Sequence, residues 1–230
     1  MSDPRQQFVD EVIQSRYSCR AFLPQPVERE VLEALLKVAS RAPSGTNIQP
    51  WKVYVLTGES KTRLSERILA AFDDPEEAAT HSEPYNYYPK KWVSPYIDRR
   101  RKVGLDLYGL LGITKGDAKR MHEQHGRNYR FFDAPVALIF SIDTLMEQGS
   151  WLDYGMFVQT VMLAAKARGL DTCPQAAPLQ FHRIVREHLG MPEGETMVCA
   201  MALGYADPAA VENTLRTERA PLNDWVQFRD

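Results

Sequence analysis

The chain is expected to form an α+β domain or three-layer mixed sandwich, and three observations point there. Apolar residues recur at helical spacing in more segments than they form strand-like runs. The strand-like runs are short and nearly all apolar, as strands covered on both faces are. One segment, Leu152 to Arg168, is apolar over most of its circumference, which suits a helix at the centre of a core. At 230 residues there is material for one sizeable core, so 1–230 reads as a single domain.

Ser2-Asp3-Pro4 reads as an N-cap followed by a first-turn proline, and Phe8, Val9, Val12 and Ile13 continue a helix to about Ser15. Val31, Leu32, Leu35, Leu36, Val38 and Ala39 predict a second helix that stops before Pro43. Trp51 to Leu56 is a strand, rich in aromatic and β-branched residues and closed by Thr57-Gly58. A helix from Ser60 to Phe72 follows. From Asp73 to Ser94 prolines and tyrosines break every period, so an ordered loop is expected. Two helices, Pro95–Leu111 and Lys115–His125, lead to the buried strand run Ala134–Phe140. After the Leu152–Arg168 helix, Gly169 is placed to end it. Leu170–Cys173 is a short strand, Leu179–His188 a helix, and Thr196–Tyr205 a buried strand. The tail from Ala206 lacks periodicity yet carries Trp225, Val226 and Phe228, which a second subunit would cover.

Composition excludes several classes. Apolar residues at 44% and charged residues at 25% are globular values, and no window approaches the roughly 18 apolar residues of a membrane span. A net charge of −2 argues against a general nucleic-acid binder, and Arg99-Arg100-Arg101-Lys102 reads as a solvated helix face. The N-terminus shows no basic segment followed by an apolar one, so a cytoplasmic location is expected. Three cysteines form neither a CxxC pair nor a disulfide framework. His122 and His125 share a helix face without a third ligand, so no metal is expected. GxSxG, GxGxxG and P-loop motifs are all absent, which disfavours a hydrolase, a Rossmann site and a nucleotide triphosphatase.

Two polar segments remain. Arg16-Tyr17-Ser18-Cys19-Arg20 sets two guanidinium groups and a hydroxyl in five residues, a donor set for phosphate that, taken alone, reads more readily as a surface turn with two solvated arginines. In Arg41-Ala42-Pro43-Ser44-Gly45-Thr46-Asn47-Ile48-Gln49-Pro50-Trp51, Gly45 would let a ligand approach the backbone closely. Asn47 and Gln49 bring amides that both donate and accept, which suits the edge of a heterocycle or a plain loop.

Together, RYSCR near residue 20 and PSGTNIQPW near residue 50 resemble the nitroreductase family of FMN-dependent flavoproteins. The order of elements agrees, including the Gly169–Pro174 segment and a C-terminal arginine segment. The resemblance implies a nitroreductase-like three-layer sandwich with a central mixed sheet and long core helices. It also implies a homodimer that exchanges a C-terminal arm, 206–230, with residues 73–130 as a substrate-capping lid. It places the FMN phosphate on Arg16 and Ser18, with Tyr17 nearby and Arg219 or Arg216 as a further cation. Arg20 and Asn128 fall at the flavin pyrimidine edge, and Pro43, Ser44, Gly45, Asn47 and Gln49 form a wall. Pro174, Gln175 and Ala176 carry the backbone that approaches flavin N5. Many relatives have Glu-Gly where Gln175-Ala176 stand, which puts side-chain contacts there in doubt.

The implied reaction is ping-pong. NADPH or NADH reduces the flavin and leaves, and a nitroaromatic acceptor is then reduced in two-electron steps to nitroso and hydroxylamine products. No catalytic side chain is assigned, since the flavin carries the chemistry. Tyr88, Trp92 and Arg100 of the lid are candidates for stacking a nitroarene and attracting a carboxylate, or for simple lid packing. Ene reduction, quinone reduction, reductive dehalogenation or flavin binding without turnover are the alternatives.

Overall fold

The computed structural model describes residues 3–230; Ser2, read above as part of the first cap, lies outside them. Helix α1, Pro4–Ser15, is capped by Asp3, whose carboxylate accepts from the Arg5 N–H at 2.8 Å. Helix α2 is Arg29–Ala39, strand β1 Trp51–Thr57 and helix α3 Gly58–Asp73. The lid segment is not all loop. Asp74 caps a one-turn helix α4, Pro75–Ala78, by accepting from the N–H groups of Glu76 and Glu77, a cap-plus-proline signal that the surrounding aromatic disorder of pattern conceals. Helices α5, Tyr96–Leu110, and α6, Ala118–Gly126, complete it.

Strand β2 is Val136–Asp143, helix α7 Gln148–Lys166, strand β3 Asp171–Gln175, helix α8 His182–Leu189 and strand β4 Glu195–Gly204. Some bounds differ from the sequence reading, among them the start of α8 and the end of β3, while α7 begins at Gln148 rather than Leu152. The turn Ala177–Phe181 is a 3-10 segment rather than the opening of α8, and β3 extends two residues beyond Cys173.

The sheet order is β1-β2-β4-β3, with every neighbouring pair antiparallel. Among the described residues the parallel element of the expected mixed sheet is the single bridge between Ser18 and Thr172. Alternation along the strands divides the core in two. Ala137, Ile139, Ala200 and Ala202 face α3, α8 and the rings of Tyr129, Phe131 and Phe181. Val136, Leu138, Phe140 and Met201 face α2 and α7 through Leu35, Phe157 and Val161. Helices on both faces make the three layers.

Helix α7 is packed on one side within this chain. Phe157 and Val161 are buried, yet Leu152 is 71% exposed, so the all-round apolar surface that suggested a central helix is half uncovered. Trp225 and Phe228 in the tail are 68% and 85% exposed. Gly204 is required where it stands, because a Cβ there would lie 2.5 Å from Pro135 Cδ and 3.3 Å from Phe22. That close approach draws the segment after RYSCR onto the end of β4. No helix among the described residues is long and apolar enough to cross a membrane.

Candidate cofactor site

The RYSCR segment is pinned to the edge of the sheet. Ser18 bridges Thr172, and the Cys19 N–H donates to the Thr172 carbonyl at 3.0 Å. The tail is brought to the same place by Asn213, a buried side chain that accepts from the Arg20 N–H at 2.8 Å and donates to the Ala21 carbonyl at 2.8 Å. The result is a cleft of about 420 Å³ where Arg16, Ser18, Arg20, Arg216 and Arg219 converge. No carboxylate lines it, and among the described residues none of the four arginines is in a salt bridge.

Electrostatics match the geometry. Burial, and then the like charge of Arg219, pull the Arg16 guanidinium below its ordinary value. Like charges held this close gain when a dianion enters between them, so the donor set fits a phosphate. Arg216 also stacks on the Tyr17 ring, 4.0 Å from its centroid, while its guanidinium holds the Asn213 and Leu215 carbonyls. Arg219 is exposed and bonded to the Thr217 hydroxyl at 2.7 Å. Arg216 and Arg219 both line the cleft.

The Pro43–Gln49 loop is exposed and conformationally unusual. Thr46, Asn47 and Gln49 have φ of 47°, 60° and 49°, left-handed values that cost about 1–2 kcal/mol each for ordinary residues. Local hydrogen bonds hold the shape. Ser44 Oγ accepts from the Gln49 N–H at 3.0 Å, and Gln49 Nε2 donates to the Asn47 carbonyl at 3.2 Å. The Gly45 N–H donates to Asp153 Oδ2 of α7 at 3.1 Å. Gly45 itself is not enforced by crowding within this chain, since an added Cβ would meet only that carboxylate at an ordinary 3.7 Å.

Asn128 and the end of β3 are tied to each other. Asn128 Nδ2 donates to the His125 carbonyl, which leaves its carbonyl oxygens to accept from Gln175 Nε2 at 2.8 Å (main chain) and 3.3 Å (side chain). The Gln175 side chain is thereby turned inward and is only 4% exposed, with Oε1 enclosed and unpartnered. It is a clamp on Asn128, with its amide turned away from solvent. Arg20 projects toward the same strand, donating to the Ser18 carbonyl at 3.2 Å and facing the Cys173 thiol. Burial pushes that thiol up to about 11 and Cys19 up to about 12, so neither is a nucleophile.

The three lid candidates come together. Tyr88 and Trp92 rings are 5.4 Å apart, and the Arg100 guanidinium lies 5.4 Å and 4.7 Å from their centroids. The lid is tied down by Tyr85, whose hydroxyl donates to the Val198 carbonyl at 2.5 Å and whose ring meets Trp151 edge-on at 4.6 Å. His122 pairs with Asp73 at 2.7 Å and stacks on Phe72, and His125 faces the Tyr129 hydroxyl at 3.2 Å.

Sequence reasoning did not find Asp153, Asn213 or Tyr85. An acid inside the apolar Leu152–Phe157 stretch is a readable signal of a buried carboxylate with a partner. Asn213 and Tyr85 have no local signal, because their partners are 192 and 113 residues away.

Known proteins resemble the chain along nearly its whole length. A 4-nitrobenzoate reductase of Pseudomonas putida is 41% identical over 219 residues, covering 95% of this chain and 94% of the relative. A nitrobenzene nitroreductase of Ectopseudomonas oleovorans is 37% identical, covering 98% of each. The crystal structure of the FMN-dependent nitroreductase NfnB from Mycobacterium smegmatis in complex with NADPH superimposes with a TM-score of 0.92 at 30% identity, covering 98% of this chain and 100% of that one. With residues 13–205 matching the family description as well, the chain belongs to the nitroreductase family.

Proposed function

We propose that this protein is an FMN-dependent NAD(P)H oxidoreductase that reduces nitroaromatic compounds, working as a homodimer. The observation that carries the reading is the carboxylate-free cleft in which Arg16, Ser18, Arg20, Arg216 and Arg219 meet at the edge of β3. Relatives named as nitroaromatic reductases, and a neighbour described as FMN-dependent with NADPH bound, support the same chemistry.

FMN, when bound, supplies two-electron transfer from a nicotinamide donor to a nitro acceptor in successive half-reactions. The chain's residues bind and orient. Arg16, Ser18, Arg219 and Arg216 hold the phosphate, with Tyr17 as the platform under Arg216. Arg20 would supply a fixed cation to the flavin, favouring the negative charge of its reduced form. Asn128, held in place by Gln175, would hydrogen-bond the flavin ring system, and the backbone of Pro174–Ala176 and the strained Pro43–Gln49 loop would hold it. No side chain is assigned as a nucleophile or a proton donor.

Uncovered apolar surface supports the dimer reading. The outer edge of β1, with Val55 at 42% exposure, borders a cleft of about 790 Å³ lined by Val27, Leu32 and Leu36. The arm 206–230 of a second copy, with its exposed Trp225 and Phe228, supplies apolar surface to cover such an edge.

A direct test is the purified protein with NADPH or NADH under anaerobic conditions. Steady donor oxidation that begins only when a nitroarene is added is the expected result. Protein that binds FMN yet transfers no electrons to any nitroarene would overturn the substrate assignment.

A further inference from the structure

A cleft beside α6 is separate from the cofactor site. It measures about 540 Å³, within the roughly 300–1,000 Å³ usual for small-molecule sites, and none of its residues lines the arginine cleft at β3. Its lining combines Arg120 and Gln124 of α6 with apolar Leu69 of α3 and Leu111 and Ile113 after α5. Gln124 stands between two histidines whose rings are already engaged, His122 with Asp73 at 2.7 Å and His125 with the Tyr129 hydroxyl at 3.2 Å. Gln124 is only 9% exposed, yet its side-chain amide makes no hydrogen bond among the described residues. A buried amide without a partner costs free energy, so one kept in the wall of a cleft is suited to a ligand.

The charges of the lining give the sign of that ligand. Arg120 donates to the carbonyls of Gly112 and Leu111 at 2.6 Å and 2.7 Å, which fixes the plane of its guanidinium. Among the described residues no carboxylate pairs with it. The acids of the lining are engaged elsewhere, Asp73 with His122 and Glu123 with Lys119 at 3.9 Å. The remaining arginines are engaged too, Arg127 by Glu212 and Asp133, and Arg130 by Asp133 at 3.2 Å. One uncompensated cation and one free amide are left. Arg120 and Gln124 are four residues apart on one helix face, about 5–6 Å between Cβ atoms, a gap that a single acid group spans with a hydrogen bond to each.

We propose that this cleft binds a small amphiphilic organic anion, with its acid group on Arg120 and Gln124 and its apolar body along Leu69, Leu111 and Ile113. The site is additional to the reductase reading and does not depend on it. Carboxylates and phosphate monoesters share the chemistry that these two side chains recognise, and the choice of probes separates them.

The experiment is calorimetric titration of the FMN-loaded protein with octanoate, octyl phosphate, octanol and acetate. One of the two amphiphilic anions should bind, the tighter of them naming the acid group, with octanol and acetate at least about tenfold weaker because each lacks half of the recognised chemistry. Gln124→Leu, a change of similar volume, should weaken that anion by roughly five- to tenfold, the range of a partly screened charge-assisted bond. The same variant should melt no lower than the wild type, because the amide it removes has no partner in the fold. Arg120→Gln should weaken the anion by a similar factor, Arg120→Lys should recover part of the loss, and Lys119→Gln on the same helix should change nothing. The proposal is overturned if neither anion binds, if octanol binds as tightly, or if Gln124→Leu lowers the melting temperature and leaves binding as it was. Titrating FMN into flavin-free protein that already holds the anion should not displace it; displacement would put the anion in the cofactor cleft and overturn the proposal as well. Protein that takes up no FMN would refute the flavin reading, and the anion titration would still decide the role of Gln124.

Discussion

Arg16 and Arg219 are predicted to act on cofactor affinity rather than on stability, because they stand at a surface cleft and hold no carboxylate. Arg16→Ala and Arg219→Ala should each weaken FMN binding by roughly ten- to a hundredfold, the loss of about 1.5–3 kcal/mol from a charge-assisted bond, with the melting temperature of the flavin-free protein nearly unchanged. Flavin fluorescence on titration measures the first and calorimetry the second. Glu195 is the opposite case. Burial pushes its carboxyl up, but hydrogen bonds from Lys52 at 2.8 Å, Ser141 at 2.7 Å and Tyr54 at 3.0 Å outweigh that, and its pKa is held below the ordinary 4.5. A depressed folded value means the stabilisation is complete above the unfolded pKa and is lost as pH falls through the folded one. Urea unfolding should therefore show stability declining below about pH 4.5, and Glu195→Gln should cost about 1–3 kcal/mol at pH 7 and flatten that acid limb. An unaltered limb in the variant would assign the acid sensitivity to other carboxylates. Among single residues, the donors of RYSCR are visible in the sequence because they are local, and the structure brings Arg16, Ser18 and Arg20 to one cleft. The inward turn of Gln175 was not, because it depends on Asn128, 47 positions away.

At the scale of elements, the strands and most helices were legible because each has one period and a clear stop. Val136–Phe140 is apolar without interruption since both faces are covered, and α2 ends where Pro43 demands it. The turn before α8 and the cap at Asp74 were less so, because 3-10 and one-turn helices are too short to show a period. The lid's order likewise comes from contacts that no window contains. Tyr85 fastens it to β4, so Tyr85→Phe should loosen residues 79–95 by about 1 kcal/mol, read as faster amide exchange there and no change in the sheet. Uniform acceleration across the sheet would mean that the hydroxyl supports the whole domain.

Across the whole molecule, apolar surface on α7, the open edge of β1 and the bare rings of the tail are what the proposed second copy would cover. Replacing Trp225 and Phe228 by serine should shift sedimentation from dimer toward monomer at micromolar concentration, while a dimer of unchanged affinity would place the contact elsewhere. The mixed character expected of the sheet rested on family likeness. Within one chain the strands alternate in direction, and only the Ser18–Thr172 bridge runs parallel. The arginine cleft is proposed to hold the phosphate of FMN. Titrating flavin-free protein with FMN and with riboflavin, which lacks that phosphate, tests it most directly. The account predicts that FMN binds at least about a hundredfold more tightly, with the advantage falling as salt is raised, and equal affinity for the two flavins would contradict it.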